Sequence, residues 1–290
     1  MSGLKVLDLF SGIGGFSLGL ERAGMETIAF CELDKACHKV LKKHWPNTPI
    51  YDDIRTLNGT NLQNTVDVIC GGFPCQDISF AGKGKGLSGE RSGLWWEFHR
   101  LIKEIKPPWV IIENVAALRS RGLDKVLGSL AEIGYDAEWH CIPASAVGAP
   151  HQRDRIWIVA YPQRNGLPAA SVARSIEKTV RQESARQNNT FDAAGASSVP
   201  AACANVANAD VVGTQIPLER RHSSQQVLRG TSEAWRVTVG QCWSIEPNVG
   251  RVVNGVSNRS HRIKQLGNAV VPQIPEIIGK AIMEFKNAIT

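Results

Sequence analysis

Short apolar runs alternate with amphipathic stretches along the first 160 or so residues of the chain. Each apolar run is predicted to be a strand: 4–10, 26–33, 66–73, 109–115, 135–142 and 155–161. Between them, hydrophobic positions recur with the period of a helix at 16–23, 34–45, 94–105 and 123–133. This alternation is typical of the α/β class with a doubly wound, mostly parallel, Rossmann-like sheet, here of about six or seven strands.

The pattern changes after Pro162. Residues 163–255 are rich in Ala, Ser, Asn, Gln and Arg, and their periodicity is too weak to assign helices or strands. Periodicity returns at 272–288, which predicts a helix with proline in its first turn. We therefore predict an α/β domain at 1–162, a smaller irregular insert at 163–255, and a C-terminal segment at 256–290 that completes the first domain.

The net charge of +6 is concentrated in one part of the chain. Residues 161–264 contain 13 basic and 7 acidic residues, whereas the rest of the chain balances 20 against 20. Eleven of those 13 basic residues are arginine, whose planar guanidinium can form paired hydrogen bonds with phosphate groups and guanine edges. The excess favours nucleic-acid binding, with a solvated basic surface as the alternative.

Composition argues against several other classes of protein. The chain is 43% hydrophobic, but no run approaches the roughly 20 apolar residues that a membrane helix needs. The N-terminus shows no charged and then apolar leader, so we expect a cytoplasmic protein. Seven cysteines, odd in number and without a C-x-x-C pair, predict neither disulfides nor a metal site.

The first predicted strand runs into a glycine-rich turn, in the segment DLFSGIGGFSLGL. Gly12, Gly14 and Gly15 lie between strand and helix, where glycine lets the backbone approach a ligand closely. Glu32, at the end of the next strand, is placed to bind ribose hydroxyls, and Asp53 of the segment YDDI to accept from an adenine amino group. These features indicate a nucleoside-containing cofactor. NAD fits them too, and a tight turn without a ligand is the alternative.

A second candidate site begins where the strand 66–73 ends. Cys75 lies at the exit from the core, whereas Cys70 lies inside the apolar run and is predicted to be structural. A thiolate at position 75 could be activated by backbone amides or by cations such as Arg153 and Arg155. Cys75 is therefore a candidate nucleophile.

Two further groups are predicted at the same edge of the sheet. Glu113 lies near the end of the strand 109–115, and the segment HQRDRIW (151–157) places two arginines just before the last strand. A thiolate, a carboxyl group and a guanidinium beside a nucleoside suggest a nucleophile, a proton donor and an anion clamp.

Five segments of this chain stand in the order typical of one enzyme family. They are DLFSGIGGFSLGL, GGFPCQDIS, ENV, QRDRIWIVA and QLGNAVVP. Together they resemble the DNA (cytosine-5) methyltransferases of bacterial or phage type, across almost the whole chain but more weakly between about 163 and 250. One position departs from the family pattern: the glutamine expected two places before the first arginine is His151, with Gln152 shifted by one.

The resemblance implies the fold of a class I methyltransferase and S-adenosylmethionine as the cofactor rather than NAD. It implies a cofactor pocket built from both ends of the chain. The residues so implied are Phe10, Ser11, Gly12, Gly14, Gly15, Glu32, Leu33, Asp53, Ile54, Pro74, Leu94, Asn268 and Ala269.

The resemblance also implies a catalytic role for four residues. Cys75 would add to carbon 6 of cytosine while Glu113 protonates or hydrogen-bonds ring nitrogen 3, which makes carbon 5 nucleophilic. Arg155 would hold the carbonyl oxygen of the base, and Arg153, two positions before it, is the fourth residue of this set. After methyl transfer a base removes the proton at carbon 5 and the thiolate leaves.

The target base must swing out of the duplex for this chemistry. The loop after Cys75, SFAGKGKGLSGERSG, is predicted to close over the DNA, with a disordered surface loop as the alternative. The DNA-binding residues predicted near Cys75 are Gln76, Ser79, Lys83, Lys85 and Arg91. The arginine-rich insert would be the target-recognition region.

The favoured function is methylation of a specific double-stranded DNA sequence by a monomer, with a restriction endonuclease as a possible functional partner. A tRNA cytosine-5 methyltransferase on the same scaffold and a non-catalytic DNA-binding protein are the alternatives. We also predict that Trp95, Trp96, Trp139 and Trp157 pack in the core.

Overall fold

The computed structural model describes residues 3–74, 93–149, 151–163 and 265–289. Within these ranges the strands are β1 (Lys5–Leu9), β2 (Glu26–Cys31), β3 (Ile50–Tyr51), β4 (Val68–Gly71), β5 (Trp109–Val115), β6 (Tyr135–Ile142) and β7 (Arg155–Pro162). They form a seven-stranded sheet in the order β3-β2-β1-β4-β5-β7-β6. Only β7 runs antiparallel to its neighbours β5 and β6. The predicted doubly wound, mostly parallel sheet is confirmed.

Helices connect most of the described strands, as the periodicity predicts. They are α1 (Gly15–Arg22), α2 (Lys35–His44), α3 (Leu94–Ile105), α4 (Leu118–Arg121), α5 (Leu123–Glu132) and α6 (Gln273–Ile289). Two 3₁₀ turns, Gly59–Leu62 and Ala144–Val147, are added. Among the helices of the described ranges, the sequence predicts every one of eight or more residues and misses the single turn of α4.

Capping residues fix where these helices begin. The Asp34 carboxylate accepts a hydrogen bond from the Ala36 amide at 2.8 Å, and so satisfies one of the free N–H groups at the start of α2. Pro46 follows the end of the helix, where a proline cannot continue the hydrogen-bonding pattern. At α1 the capping residue is Gly14, with φ 84°, a conformation that glycine adopts without steric cost.

Two apolar clusters cover the two faces of the sheet. One contains Trp95 and Phe98 of α3, both completely buried, and the apolar residues of α5. The other contains Phe16 and Leu20 of α1 together with α6. Burial of these side chains is the main stabilising contribution to the fold, at about 25 cal/mol per Å² of apolar surface removed from water.

The C-terminal helix approaches α1 closely at Gly19. A Cβ atom at this position would collide with the carbonyl oxygen of Pro272 and the ring of Pro275, so only glycine fits. Residues 265–289 therefore pack against the first helix of the chain. The insert 163–255 lies almost entirely outside the described residues, and the predicted domain boundaries stay a prediction.

The tryptophan predictions are half right. Trp95 and Trp157 are buried, but Trp96 is 46% exposed and Trp139 is 38% exposed, so the prediction that these two lie in the core is wrong. Trp96 lies on the outward side of α3, where it meets His99 edge-on. Trp139 lies on β6, which pairs with β7 alone among the described strands.

Candidate active site

The chain reverses its direction of travel across the sheet between β1 and β4. From β1 it builds β2 and β3 on one side, and it then returns to place β4 and β5 on the other. In open α/β sheets, ligands bind at the carboxyl ends of the strands at such a switch point. The candidate residues described below follow those strand ends.

The turn after β1 has an unusual backbone. Phe10 has φ 53°, a left-handed conformation that is costly for an aromatic residue, and Gly12 has φ 55°. A Cβ atom at Gly12 would meet nothing within 4 Å, whereas one at Gly15 would lie 2.6 Å from the Val270 carbonyl oxygen. Gly12 therefore borders open space beside a strained turn, while Gly15 is needed for packing.

Glu32 holds this turn in place. Its Oε2 accepts from the Gly12 amide at 2.7 Å and its Oε1 from the Asp34 amide at 2.8 Å. One carboxylate thus fixes the glycine turn and the start of α2 together. Each carboxylate oxygen can accept a second hydrogen bond, so Glu32 retains acceptor capacity for hydroxyl groups.

The residues after β2 and β3 supply an apolar and an acidic group. Leu33 is 66% exposed, although it follows a buried strand. The Asp53 carboxylate is bound by Arg55 through contacts of 2.7 to 3.1 Å, and these hydrogen bonds lower the pKa of Asp53. Ile54 beside it is buried, and Leu94, the first residue of α3, packs against the same core cluster.

These features fit a nucleoside-containing cofactor. A sugar could bind the spare acceptors of Glu32, and a flat base could pack on the exposed apolar side chain of Leu33. The open space beside Gly12 leaves room for such a ligand. Among the described residues no cluster of His, Cys, Asp and Glu is arranged to hold a metal ion.

A buried carboxyl group lies in the strand that leads to this turn, and sequence analysis missed it. Asp8 of β1 is fully buried, and its Oδ2 accepts from the Ser17 hydroxyl of α1 at 2.7 Å. Burial raises the pKa of Asp8 to about 7, against the effect of the Ser17 hydrogen bonds. Opposite it on β4, burial raises the pKa of Cys70 well above its usual value, which makes that thiol inert and supports its structural assignment.

Glu113 and Arg155 form an ion pair at the ends of β5 and β7. Arg155 Nε lies 2.9 Å from Glu113 Oε1, with the side chains 23% and 12% exposed. Burial raises the pKa of Glu113, and the guanidinium groups of Arg155 and Arg153 oppose that rise. The carboxyl is thus able to take up a proton more readily than an exposed glutamate.

The strand exit that leads to Cys75 passes directly beside this carboxylate. A Cβ atom at Gly72 would lie 2.8 Å from Glu113 Oε2. The absence of a side chain at Gly72 therefore provides the space that the Glu113 carboxylate occupies. Pro74, three residues after Gly71 at the end of β4, is the last described residue before Cys75.

Asn114 fixes the same strand exit from the other side of β5, a role that sequence analysis missed. It is 2% exposed; its Nδ2 donates to the Phe73 carbonyl at 3.1 Å, and its Oδ1 accepts from the Val115 amide at 2.9 Å. The available signal was an amide side chain inside the apolar strand WVIIENV, because a buried amide needs such partners.

Arg153 points toward the C-terminal segment. Its two terminal guanidinium nitrogens donate to the carbonyl oxygens of Gly267 at 2.7 Å and Ala269 at 2.8 Å. Those two residues flank Asn268, whose side chain is exposed.

Ser11, in the glycine turn, is buried and donates through its hydroxyl to the Asp8 carbonyl at 2.6 Å.

Several predicted site residues lie outside the described ranges. These are Cys75, Gln76, Ser79, Lys83, Lys85 and Arg91. The arginine-rich region at 164–264 also lies outside them. The described residues thus contain the candidate cofactor turn and the Glu113–Arg155 pair, together with the chain leading up to Cys75.

Comparison with known families decides between the candidates for this scaffold. The model of the C-5 cytosine-specific DNA methylases matches residues 4–241, most of the chain. The chain belongs to this family.

Individual relatives match over a shorter stretch. The chain is 38% identical over 165 residues to the Type II methyltransferase M2.BsuMI of Bacillus subtilis (strain 168), a match that covers 54% of this chain and 42% of the relative. To the Type II methyltransferase M.HhaI of Haemophilus parahaemolyticus it is 34% identical over 171 residues, covering 58% and 51%. The matched part is thus about half, or less, of these relatives' length.

A solved structure supports the fold alone. The crystal structure of a Spodoptera frugiperda DNMT2 mutant matches with a TM-score of 0.50 at 14% sequence identity, over 99% of both chains. None of the helices in the described ranges is long and apolar enough to cross a membrane.

Proposed function

We propose that the protein transfers a methyl group from S-adenosylmethionine to carbon 5 of cytosine in a specific double-stranded DNA sequence. The observation that carries this proposal is the position of Glu113. Its carboxyl has a raised pKa, lies 2.9 Å from Arg155, and packs over Gly72, three residues before Cys75. Membership of the C-5 cytosine-specific DNA methylase family supports the same assignment.

The chemistry requires cytosine carbon 5 to become nucleophilic. The Cys75 sulfur forms a bond to carbon 6, and the displaced ring electrons move toward nitrogen 3, where Glu113 supplies a proton. S-adenosylmethionine would supply an electrophilic methyl group, which would pass to carbon 5 with S-adenosylhomocysteine as the leaving group, while the proton on nitrogen 3 returns to Glu113. A base then removes the proton from carbon 5, the bond between sulfur and carbon 6 breaks, and the thiolate is released.

Arg155 has donors left for the base. A guanidinium carries five N–H groups. In the described contacts of Arg155, Nε pairs with Glu113 Oε1 and Nη1 donates to the Asp154 carbonyl. We assign a remaining N–H group to the carbonyl oxygen of the flipped cytosine. The same side chain keeps the Glu113 carboxyl aimed at ring nitrogen 3.

The cofactor is assigned to the switch point of the sheet. Glu32 would bind the ribose hydroxyls, Asp53 the adenine amino group, and Leu33 one face of the base. The remaining assigned residues are Phe10, Ser11, Gly12, Gly14, Gly15, Ile54, Pro74, Leu94, Asn268 and Ala269. The methyl donor would then lie across the strand ends from Glu113.

DNA contacts are assigned to the loop after Cys75 and to the basic region. Carbon 6 is inaccessible inside a duplex, so the target nucleotide must be extruded into the site. Lys83 and Lys85 would bind phosphates around it, Arg91 would help to lock the closed form of the loop on the DNA, and the arginine-rich insert would read the target sequence. Because the relatives are Type II methyltransferases, we propose a restriction endonuclease as the functional partner of a monomeric enzyme.

Bisulfite sequencing of DNA from cells that express the protein tests the proposal. We expect one recurring sequence context with protected cytosines, and none in cells that express Cys75→Ala. Cys141→Ala, which removes an exposed thiol, is the matched control and should leave the pattern intact. The purified Cys75→Ala protein should still bind DNA, because the thiol supplies a covalent step rather than affinity.

Two results would overturn the assignment. Methylation by Cys75→Ala at near wild-type rate would exclude the covalent mechanism. Protected cytosines in tRNA instead of DNA, seen in a parallel bisulfite analysis of RNA, would replace the DNA substrate with RNA.

A further inference from the structure

Arg153 makes an unusual contact for a residue beside the Glu113–Arg155 pair. Its guanidinium spans two backbone carbonyls, those of Gly267 and Ala269, at 2.7 and 2.8 Å. The backbone of Arg153 itself has φ 42°, a left-handed conformation that is unfavourable for a residue with a side chain. Such strain persists only where surrounding contacts hold it in place.

The segment that Arg153 binds is held at its other end by α1. Val270 packs against Gly15, and the carbonyl of Pro272 packs against Gly19. Both glycines lack the side chain that would push this segment away. Residues 267–272 therefore form a strap, which runs from Arg153 to the helix that begins at the glycine turn.

Asn268 lies between the two carbonyls that Arg153 binds. The backbone on both sides of Asn268 is thus fixed by one guanidinium, while its own side chain stays exposed. An arginine fork is suited to this task because its parallel N–H groups can bind two oxygens at once, which a lysine ammonium does less well.

The same residue is close to the base side of the site. Arg153 lies two positions before Arg155, and its charge acts on the buried Glu113 carboxyl. One residue therefore contacts the strap and electrostatically influences the ion pair.

We propose that Arg153 is a positioning residue that holds the 267–272 strap, and with it Asn268, over the glycine turn, so that cofactor affinity depends on it. The identity of the cofactor in this assignment rests on the proposed function. The position of Arg153 against the strap rests on the observed contacts. Arg153 would then act on the reaction through the strap and the methyl donor rather than by touching the cytosine.

The test uses the full chain with two substitutions at this position. Arg153→Ala removes the fork, and Arg153→Lys keeps the charge but loses the paired geometry. Arg22→Ala is the control, because Arg22 pairs at 3.8 Å with Glu276 of α6, which lies outside residues 267–272. Hydrogen exchange at 266–271 in the ligand-free protein and calorimetric titration with S-adenosylmethionine are measured for each variant.

We expect faster exchange across 266–271 in Arg153→Ala, a smaller increase in Arg153→Lys, and none in Arg22→Ala. The Kd for S-adenosylmethionine should rise about tenfold in Arg153→Ala, because binding must then order a strap that Arg153 no longer fixes, with an intermediate rise in Arg153→Lys. The affinity of Arg153→Lys for DNA without cofactor should remain that of the wild type.

The other outcomes contradict the proposal in distinguishable ways. Unchanged exchange in Arg153→Ala would mean that the strap does not depend on this residue, whatever the protein catalyses. Faster exchange with an unchanged Kd, or a loss of DNA affinity in Arg153→Lys, would overturn the positioning role. If the wild type bound no S-adenosylmethionine at all, the proposed function would fail and the cofactor role of Arg153 with it.

Discussion

The two halves of the strand-end edge are built in different ways. On the β1–β2 side, the Glu32 carboxylate binds the backbone amides of Gly12 and Asp34, and the turn takes its shape from left-handed backbone. On the β5–β7 side, Glu113 binds the Arg155 side chain across an antiparallel pair of strands. One half depends on backbone shape and the other on side-chain chemistry.

This difference predicts different responses to substitution. Changes on the β1–β2 side should displace the backbone, and so affect stability and cofactor affinity together. Changes on the β5–β7 side should remove chemical steps while leaving the fold largely intact.

Glu113→Gln should give the largest effect. The amide keeps the shape of the side chain and can still accept from Arg155, but it cannot supply a proton to the base. We expect the single-turnover rate of methyl transfer to fall about 10²- to 10⁴-fold, with cofactor affinity and thermal stability nearly unchanged. A fall of less than tenfold, or a comparable loss of stability, would contradict the contrast.

Asp8→Asn tests the buried carboxyl on the β1 side through its pH dependence. An unfolded aspartate titrates near pH 4, whereas the pKa of Asp8 in the folded protein is about 7. The folded state therefore binds the additional proton between these values, and stability from this group is lost as the pH rises from about 4 to about 7. A shift of this size corresponds to an upper limit of about 4 kcal/mol.

We therefore expect Asp8→Asn to gain stability relative to the wild type as the pH rises. Urea unfolding at about pH 5 and pH 8 measures the difference. Asp124→Asn, at an exposed position in α5, is the control and should follow the wild type. Parallel pH profiles for Asp8→Asn and the wild type would show that Asp8 ionises normally in the fold.

A pair of glycine substitutions gives the smallest effects, of opposite sign. Gly19→Ala should lower the free energy of unfolding by about 1 to 3 kcal/mol and weaken cofactor binding, because its Cβ meets the backbone of Pro272. Gly128→Ala in α5, where a Cβ meets nothing within 4 Å, should raise the free energy of unfolding by up to about 1 kcal/mol. If both variants were stabilised, the close approach of the strap to α1 would be wrong.

Sequence periodicity predicted the elements that are long and strongly patterned. The bounds of α3 and β5 agree with the predicted ranges to the residue, because each carries several periods of buried positions. The four residues of α4 span about one turn and give no periodic signal. The exposure of Trp139 depends on β6 being the outermost strand, which only the three-dimensional strand order reveals.

The candidate site divides in the same way. Glu113, Arg155 and Glu32 could be named from strand ends and residue type. The contact between Glu113 and Arg155 could not be predicted in this way, because it requires β7 to pair with β5 in antiparallel register. The contacts of Asn114 and Arg153 were missed because their partners are backbone amide and carbonyl groups, which almost any residue type provides.

Covalent trapping tests the central claim most directly. A duplex carrying the methylated sequence, with 5-fluorocytosine at the target position, is incubated with the protein and S-adenosylmethionine. Fluorine at carbon 5 cannot leave as a proton does, so we predict a stable adduct between the DNA and Cys75, visible on a denaturing gel and missing for Cys75→Ala. No adduct with the wild-type protein, on DNA whose unmodified form it methylates, would contradict the account.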